Sequence, residues 1–85
     1  MEPETGHPEK FKNLLDLIAR LRSPAGGCPW DIKQRSSDVG RYLIEESYEV
    51  LDALESGRDE SIREELGDLL FQILFLARIG EEEGR

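Results

Sequence analysis

Over residues 10–22 the apolar side chains include Phe11, Leu14, Leu15 and Ile18, a spacing that lines one face of an α-helix. Arg20 and Arg22 fall in its last turn, where the helix dipole favours cations, and Pro24 stops it. A second helix is predicted over residues 38–55, with Val39, Leu43, Val50 and Leu54 as its stripe and Tyr42, Ile44 and Leu51 beside it. Ser36 or Ser37 suits its N-cap. Ser56-Gly57-Arg58-Asp59 reads as a turn, and a third helix follows with Asp59 or Ser61 as cap. Ser61-Ile62-Arg63-Glu64 fits a capping box. The run from Leu69 to Ala77 is apolar on every side except at Gln72. A helix of that kind must be covered all round, and a chain of 85 residues has too few other helices to do it. The expected fold is therefore all-α: an antiparallel helical hairpin completed into a bundle by further copies of the chain. Gly67, mid-helix at a cost of about 1 kcal/mol relative to Ala, fits a close approach by a neighbour or ligand.

Between the first two helices, residues 23–31 hold two prolines and two glycines, which specify a loop of definite path. Trp30 in this loop has two readings: a plug that packs the loop down, or a flat face for a nucleobase. Cys28 reads as a small packed thiol. Residues 31–35 suit a single helical turn, with Lys33 and Arg35 as candidate phosphate contacts. Residues 1–9, with Pro3, Gly6 and Pro8 and no apolar pattern, read as a disordered leader. The only histidine, His7, falls there as a solvated residue. The folded domain is expected over residues 10–85.

Composition narrows the function. The net charge of −8 argues against duplex nucleic acid and against an anionic membrane, both of which are bound through Lys and Arg. Cys28 is the only cysteine, so no disulfide forms within the chain. With no signal peptide and no apolar run of membrane length, the cytoplasm is the expected compartment. A small core without disulfides is commonly supplemented by metal or by oligomerisation.

The acidic residues on the two predicted hairpin helices suggest the metal. Glu46 and Glu49 share a face of one helix, and Glu65 and Asp68 share a face of the next, each pair spaced i, i+3. Glu49 lies seven residues before Ser56 and Glu65 six after Asp59, so both stand about 10 Å from the hairpin end at 1.5 Å per residue. Glu46 and Asp68 fall one turn further along. Four carboxylates facing one another repel unless a cation sits among them. The competing reading is a salt-bridged helix pair, with Arg41, Arg58 and Arg63 answering the acids. Oxygen ligands without His or Cys select Mg²⁺, Mn²⁺ or Ca²⁺ and not zinc. Mg²⁺ bound this way keeps open positions for a polyphosphate and can lower the pKa of a bound water. Glu45, one turn before Glu49, is either a further ligand or the base that orients that water.

Leu21-Arg22, Gly26-Gly27-Cys28-Pro29-Trp30-Asp31, Glu45-Glu46-x-x-Glu49 and Glu65-Leu66-Gly67-Asp68-Leu69-Leu70 together resemble the MazG-type nucleoside triphosphate pyrophosphohydrolases. The acidic motif is shared with all-α dimeric dUTPases, and the loop motif narrows the likeness to MazG. The resemblance spans residues 11–85. It implies an all-α homodimer or homotetramer that hydrolyses NTPs or dNTPs between the α and β phosphates. It also implies Mg²⁺ held by Glu46, Glu49, Glu65 and Asp68, with Mn²⁺ as a substitute. Glu45 is then a further acidic participant, and Trp30 and Lys33 lie near the nucleotide. Family members usually continue into another helix and a basic stretch, which this chain is expected to lack. The alternative function is a helical oligomerisation module that keeps the acidic site with little or no turnover. A purely structural acidic bundle is the third.

Overall fold

The computed structural model describes residues 7–85. Four helices follow one another: α1 (His7–Leu21), α2 (Pro29–Ile32), α3 (Ser36–Ser56) and α4 (Asp59–Glu82). No strand occurs among the described residues, so the all-α expectation holds. The chain divides into two compact units, the first ending at Lys33 and the second running from Gln34 to Arg85.

In the first unit, α1 starts at His7, so His7–Glu9 are helical where the sequence suggested leader. Residues 1–6 of that leader lie outside the described residues. Ile18 is buried, whereas Phe11 and Leu15 stay largely exposed along the same stripe. The helix ends at Leu21, one residue before Arg22. Arg22 does not decorate the last turn as expected. Its Nη1 donates to the carbonyl oxygens of Asp31 at 2.7 Å and Ile32 at 3.0 Å, tying α2 back to the end of α1. The single turn of α2 begins two residues earlier than predicted, because Pro29 at its start has a fixed φ suited to a first helical position.

The loop between α1 and α2 owes its path to Gly27. Its N–H donates to Ser23 O at 3.1 Å, and the next N–H, of Cys28, donates to Leu21 O at 3.0 Å. A Cβ on Gly27 would meet the carbonyl oxygens of Ser23, Arg20 and Leu21, the last two at 2.8 Å. All three are backbone atoms that cannot swing aside. Gly27→Ala is expected to destabilise the protein by about 1–3 kcal/mol, the usual cost of forced overpacking. Thermal denaturation followed by circular dichroism checks this; an unchanged midpoint would mean the loop relaxes freely. Trp30, at the start of α2, is 58% exposed.

In the second unit, α3 and α4 form an antiparallel hairpin. Ser36 Oγ at the start of α3 donates to Glu83 Oε1 just beyond the end of α4, at 3.3 Å, so the pair stays together to its open end. At the other end, Gly57 closes α3 in the left-handed region at φ 71°, and its N–H donates to Ala53 O and Leu54 O. That conformation costs a residue with a side chain about 1–2 kcal/mol. Ser56 Oγ donates to Ala53 O at 2.6 Å and accepts the Arg58 N–H at 3.3 Å. The capping expectations need correction. Arg35, not a serine, precedes α3, and the Asp38 carboxylate accepts its N–H at 3.0 Å. Arg58 precedes α4 with no side-chain cap, and Ser61 lies inside the helix. The tight turn leaves no room for α4 to start later.

The seam of the hairpin follows a heptad rhythm. On α3 the buried or half-buried residues include Val39, Leu43, Glu46, Val50 and Ala53; on α4 they include Ile62, Glu65, Leu69, Gln72, Leu76 and Ile79. These alternate by four and three, the spacing of helices packed knobs-into-holes. Ala53, not the predicted Leu54, occupies the seam. Phe75 is also buried, its ring stacked on Phe71 at 5.9 Å between centroids. A second row stays exposed: Ile44, Tyr48 and Leu51 on α3, and Leu66, Leu70 and Ile73 on α4, with Ile44 at 62% and Tyr48 at 67%. Each triplet runs i, i+4, i+7, one continuous helix face.

Candidate metal centre

Two positions in the seam carry carboxylates where packing asks for apolar groups. Glu46 sits between Leu43 and Val50, and Glu65 between Ile62 and Leu69. Their partial burial follows from the register, because moving either helix to expose them would expose their neighbours as well. Glu49, one turn beyond Glu46, is exposed at the edge of the seam. One carboxylate oxygen from each of Glu46, Glu49 and Glu65 falls within a mutual distance of 4.8 Å.

The electrostatics of this cluster are unfavourable as it stands. Glu46 Oε2 and Glu65 Oε2 are buried and have no hydrogen-bond partner. Burial, then Glu49 and then Glu65, push the Glu46 carboxyl up to about 7. Glu65 is raised too, first by burial and further by Glu49 and Asp68, with Glu46 offsetting part of the shift. None of Arg41, Arg58 and Arg63, the cations that a salt-bridged pair would use, makes an ion pair among the described residues. Buried carboxylates without a cationic partner are costly. A hard dication with oxygen ligands resolves both the repulsion and the orphaned oxygens, so the donor set fits such an ion.

Of the four predicted ligands, three are brought together. Asp68 stands outside the 4.8 Å set, though close enough for its charge to act on Glu65. Glu46 thus converges with both Glu49 and Glu65. Glu45 is exposed and outside the set. Trp30 and Lys33 belong to the first unit, where both are exposed. A Cβ on Gly67 would meet nothing within 4 Å among the described residues outside its own helix backbone.

Beside the carboxylates lies a cleft of about 250 Å³ lined by Glu49, Asp52, Ala53, Ser56, Arg58, Ser61 and Glu65. Sequence reasoning assigned Ser56 and Arg58 to a turn and Ser61 to a cap, and passed over Asp52. The signal for Asp52 was present: it extends the i, i+3 series of Glu46 and Glu49 by one more step on the same face.

The family model described as MazG nucleotide pyrophosphohydrolase domain matches residues 34–85, which is the whole hairpin unit. Over 76 residues the chain is 50% identical to a nucleoside triphosphate pyrophosphohydrolase of Escherichia coli (strain K12), covering 89% of this chain and 29% of the relative. Over 74 residues it is 45% identical to the nucleoside triphosphate pyrophosphohydrolase/pyrophosphatase MazG of Thermotoga maritima, covering 87% and 29%. A nucleoside triphosphate pyrophosphohydrolase of Mycobacterium tuberculosis is also 45% identical over 74 residues, with 87% and 23% covered. The chain thus spans under a third of the length of these relatives. None of its described helices is long and apolar enough to cross a membrane.

Proposed function

Because the chain belongs to the MazG nucleotide pyrophosphohydrolase domain family, we propose that it hydrolyses nucleoside triphosphates between the α and β phosphates with the help of Mg²⁺. The observation that carries this reading is the trio Glu46, Glu49 and Glu65, with two buried oxygens that nothing in the described chain answers. These three hold the ion, with Asp68 one turn beyond Glu65 as the next ligand by charge and position. A Mg²⁺ or Mn²⁺ ion held there would supply positive charge against the phosphates and make a nearby water more acidic.

The chain's own residues divide the rest of the work. Water adds its oxygen to the α phosphorus, and the α–β bridging oxygen leaves with the diphosphate, giving a nucleoside monophosphate and pyrophosphate. Glu45, exposed and next to Glu46 along the chain, is the proposed acceptor of the proton that the attacking water loses. Trp30 presents an exposed ring suited to stacking on a nucleobase, and Lys33 an exposed ammonium suited to a phosphate; both are proposed substrate contacts. Incubating the protein with each NTP and dNTP in Mg²⁺ and following pyrophosphate tests the reading. No release from any nucleotide would defeat it for this chain. The single cysteine and the nucleotide substrate fit a cytoplasmic enzyme.

The exposed row of Ile44, Tyr48, Leu51, Leu66, Leu70 and Ile73 supports the oligomer as part of the proposal. Apolar faces of this continuity are normally covered, and two hairpins packed by them make a four-helix bundle. Leu70→Glu is expected to convert a dimer or tetramer into monomers, read by light scattering of the eluting protein. A parent that already runs as a monomer would overturn the oligomer. The same row favours the second reading, an assembly module with the acidic site retained. Calorimetry showing Mg²⁺ and nucleotide binding without turnover would select it.

A further inference from the structure

We propose that Arg58 grips the phosphates beyond the cleaved bond, so that the cleft at the hairpin end receives the departing diphosphate. This rests on the hydrolase reading above and assigns a residue to one end of its substrate. The cleft shares Glu49 and Glu65 with the carboxylate trio, so a ligand filling it touches an ion held there. Six of its seven lining residues carry polar or charged side chains, and none is aromatic. A nucleobase, which binds by stacking, finds no ring here.

Arg58 is the one cationic residue of the lining. It shares that lining with Glu49, Asp52 and Glu65 yet makes no ion pair with any of them among the described residues. Its planar fork matches the oxygens of a phosphate in pairs. Ser61 belongs to the same lining and has a hydroxyl that can donate to a phosphate oxygen. Three carboxylates in the lining repel a bare polyanion. A phosphate chain bridging the dication on one side and Arg58 on the other is attracted from both ends. The cleft therefore selects a metal-bound phosphate tail over a free one.

Calorimetric titration with inorganic pyrophosphate, with and without Mg²⁺, tests this independently of turnover. The parent is expected to bind pyrophosphate only when Mg²⁺ is present. Arg58→Gln should bind it at least about tenfold more weakly, as loss of a charged hydrogen-bonding partner implies. Arg58→Lys should recover part of that loss, and Mg²⁺ binding alone should be unchanged in both variants. Thermal midpoints matching the parent would show that the turn stays folded. Equal pyrophosphate affinity in the parent and Arg58→Gln overturns the assignment, as does a parent that binds no pyrophosphate in Mg²⁺. The two readings separate cleanly. Hydrolysis with an unchanged KM in Arg58→Gln sinks the role of Arg58 alone, whereas Arg58-dependent pyrophosphate binding without hydrolysis of any nucleotide sinks the enzyme and keeps the phosphate cleft.

Discussion

Glu46→Gln is expected to remove Mg²⁺ binding and triphosphate hydrolysis together while leaving the helix content as it is. Glu46 occupies a seam position, with one oxygen buried and unanswered. Gln keeps its shape and volume but not its charge, so the packing beside Leu43 and Val50 survives. Losing even an outer-shell partner of a metal ligand costs about ten- to a hundredfold in affinity, and losing the charged ligand itself should exceed that. Isothermal calorimetry with Mg²⁺ and circular dichroism read the two halves of the expectation. Affinity equal to the parent's would place the ion elsewhere. Asp68→Asn, outside the close set, is expected to weaken binding less.

The second large effect is a dependence on pH. The folded Glu46 carboxyl is raised to about 7 from an ordinary 4.5. A raised acid binds its proton more tightly folded than unfolded, so between these values the native state carries the extra proton. Stability of the metal-free protein therefore falls as pH rises from about 4.5 to 7. The raised Glu65 acts in the same sense. Asp38 works oppositely: the Arg35 N–H holds its carboxyl low, so its contribution is present above 3.8 and lost in stronger acid. Mg²⁺ competes with the proton on Glu46, so its affinity, and the rise in melting temperature it produces, should grow through pH 7. Melting curves at pH 5.5 and 8, with and without Mg²⁺, measure all of this. A metal-free midpoint no lower at pH 8 than at pH 5.5 would contradict it, and Glu46→Gln should flatten the profile.

The helices and the turn at Gly57 were legible because apolar spacing and a glycine at a left-handed cap are local signals. The seam was harder. Leu54 is the larger apolar residue and was chosen over Ala53, yet the four–three alternation from Val39 through Glu46 places Ala53 inside. An acidic residue at a seam position breaks the apolar pattern used to find the seam. The same break locates the carboxylate trio. How closely the four carboxylates approach depends on how far each helix is rotated, so the spacing puts Glu46, Glu49, Glu65 and Asp68 on facing sides without telling which of them meet within 4.8 Å. Arg58 reads from the sequence only as a possible ion-pair partner of the acids, because a turn arginine has no periodicity to place it in a cleft. The role of Arg22 depends on where α2 folds back, which spacing along the chain does not encode.

The turn has a bearing on how the protein comes to be folded. Only Gly57 and Arg58 separate α3 from α4, so Glu49 and Glu65 are joined by a short stretch of chain whose ends close at little entropic cost. Contacts this local are among the earliest a chain makes. The nascent hairpin must then bring its like charges together before any slower assembly of copies, and whichever ion is at hand in that interval is the first able to settle it.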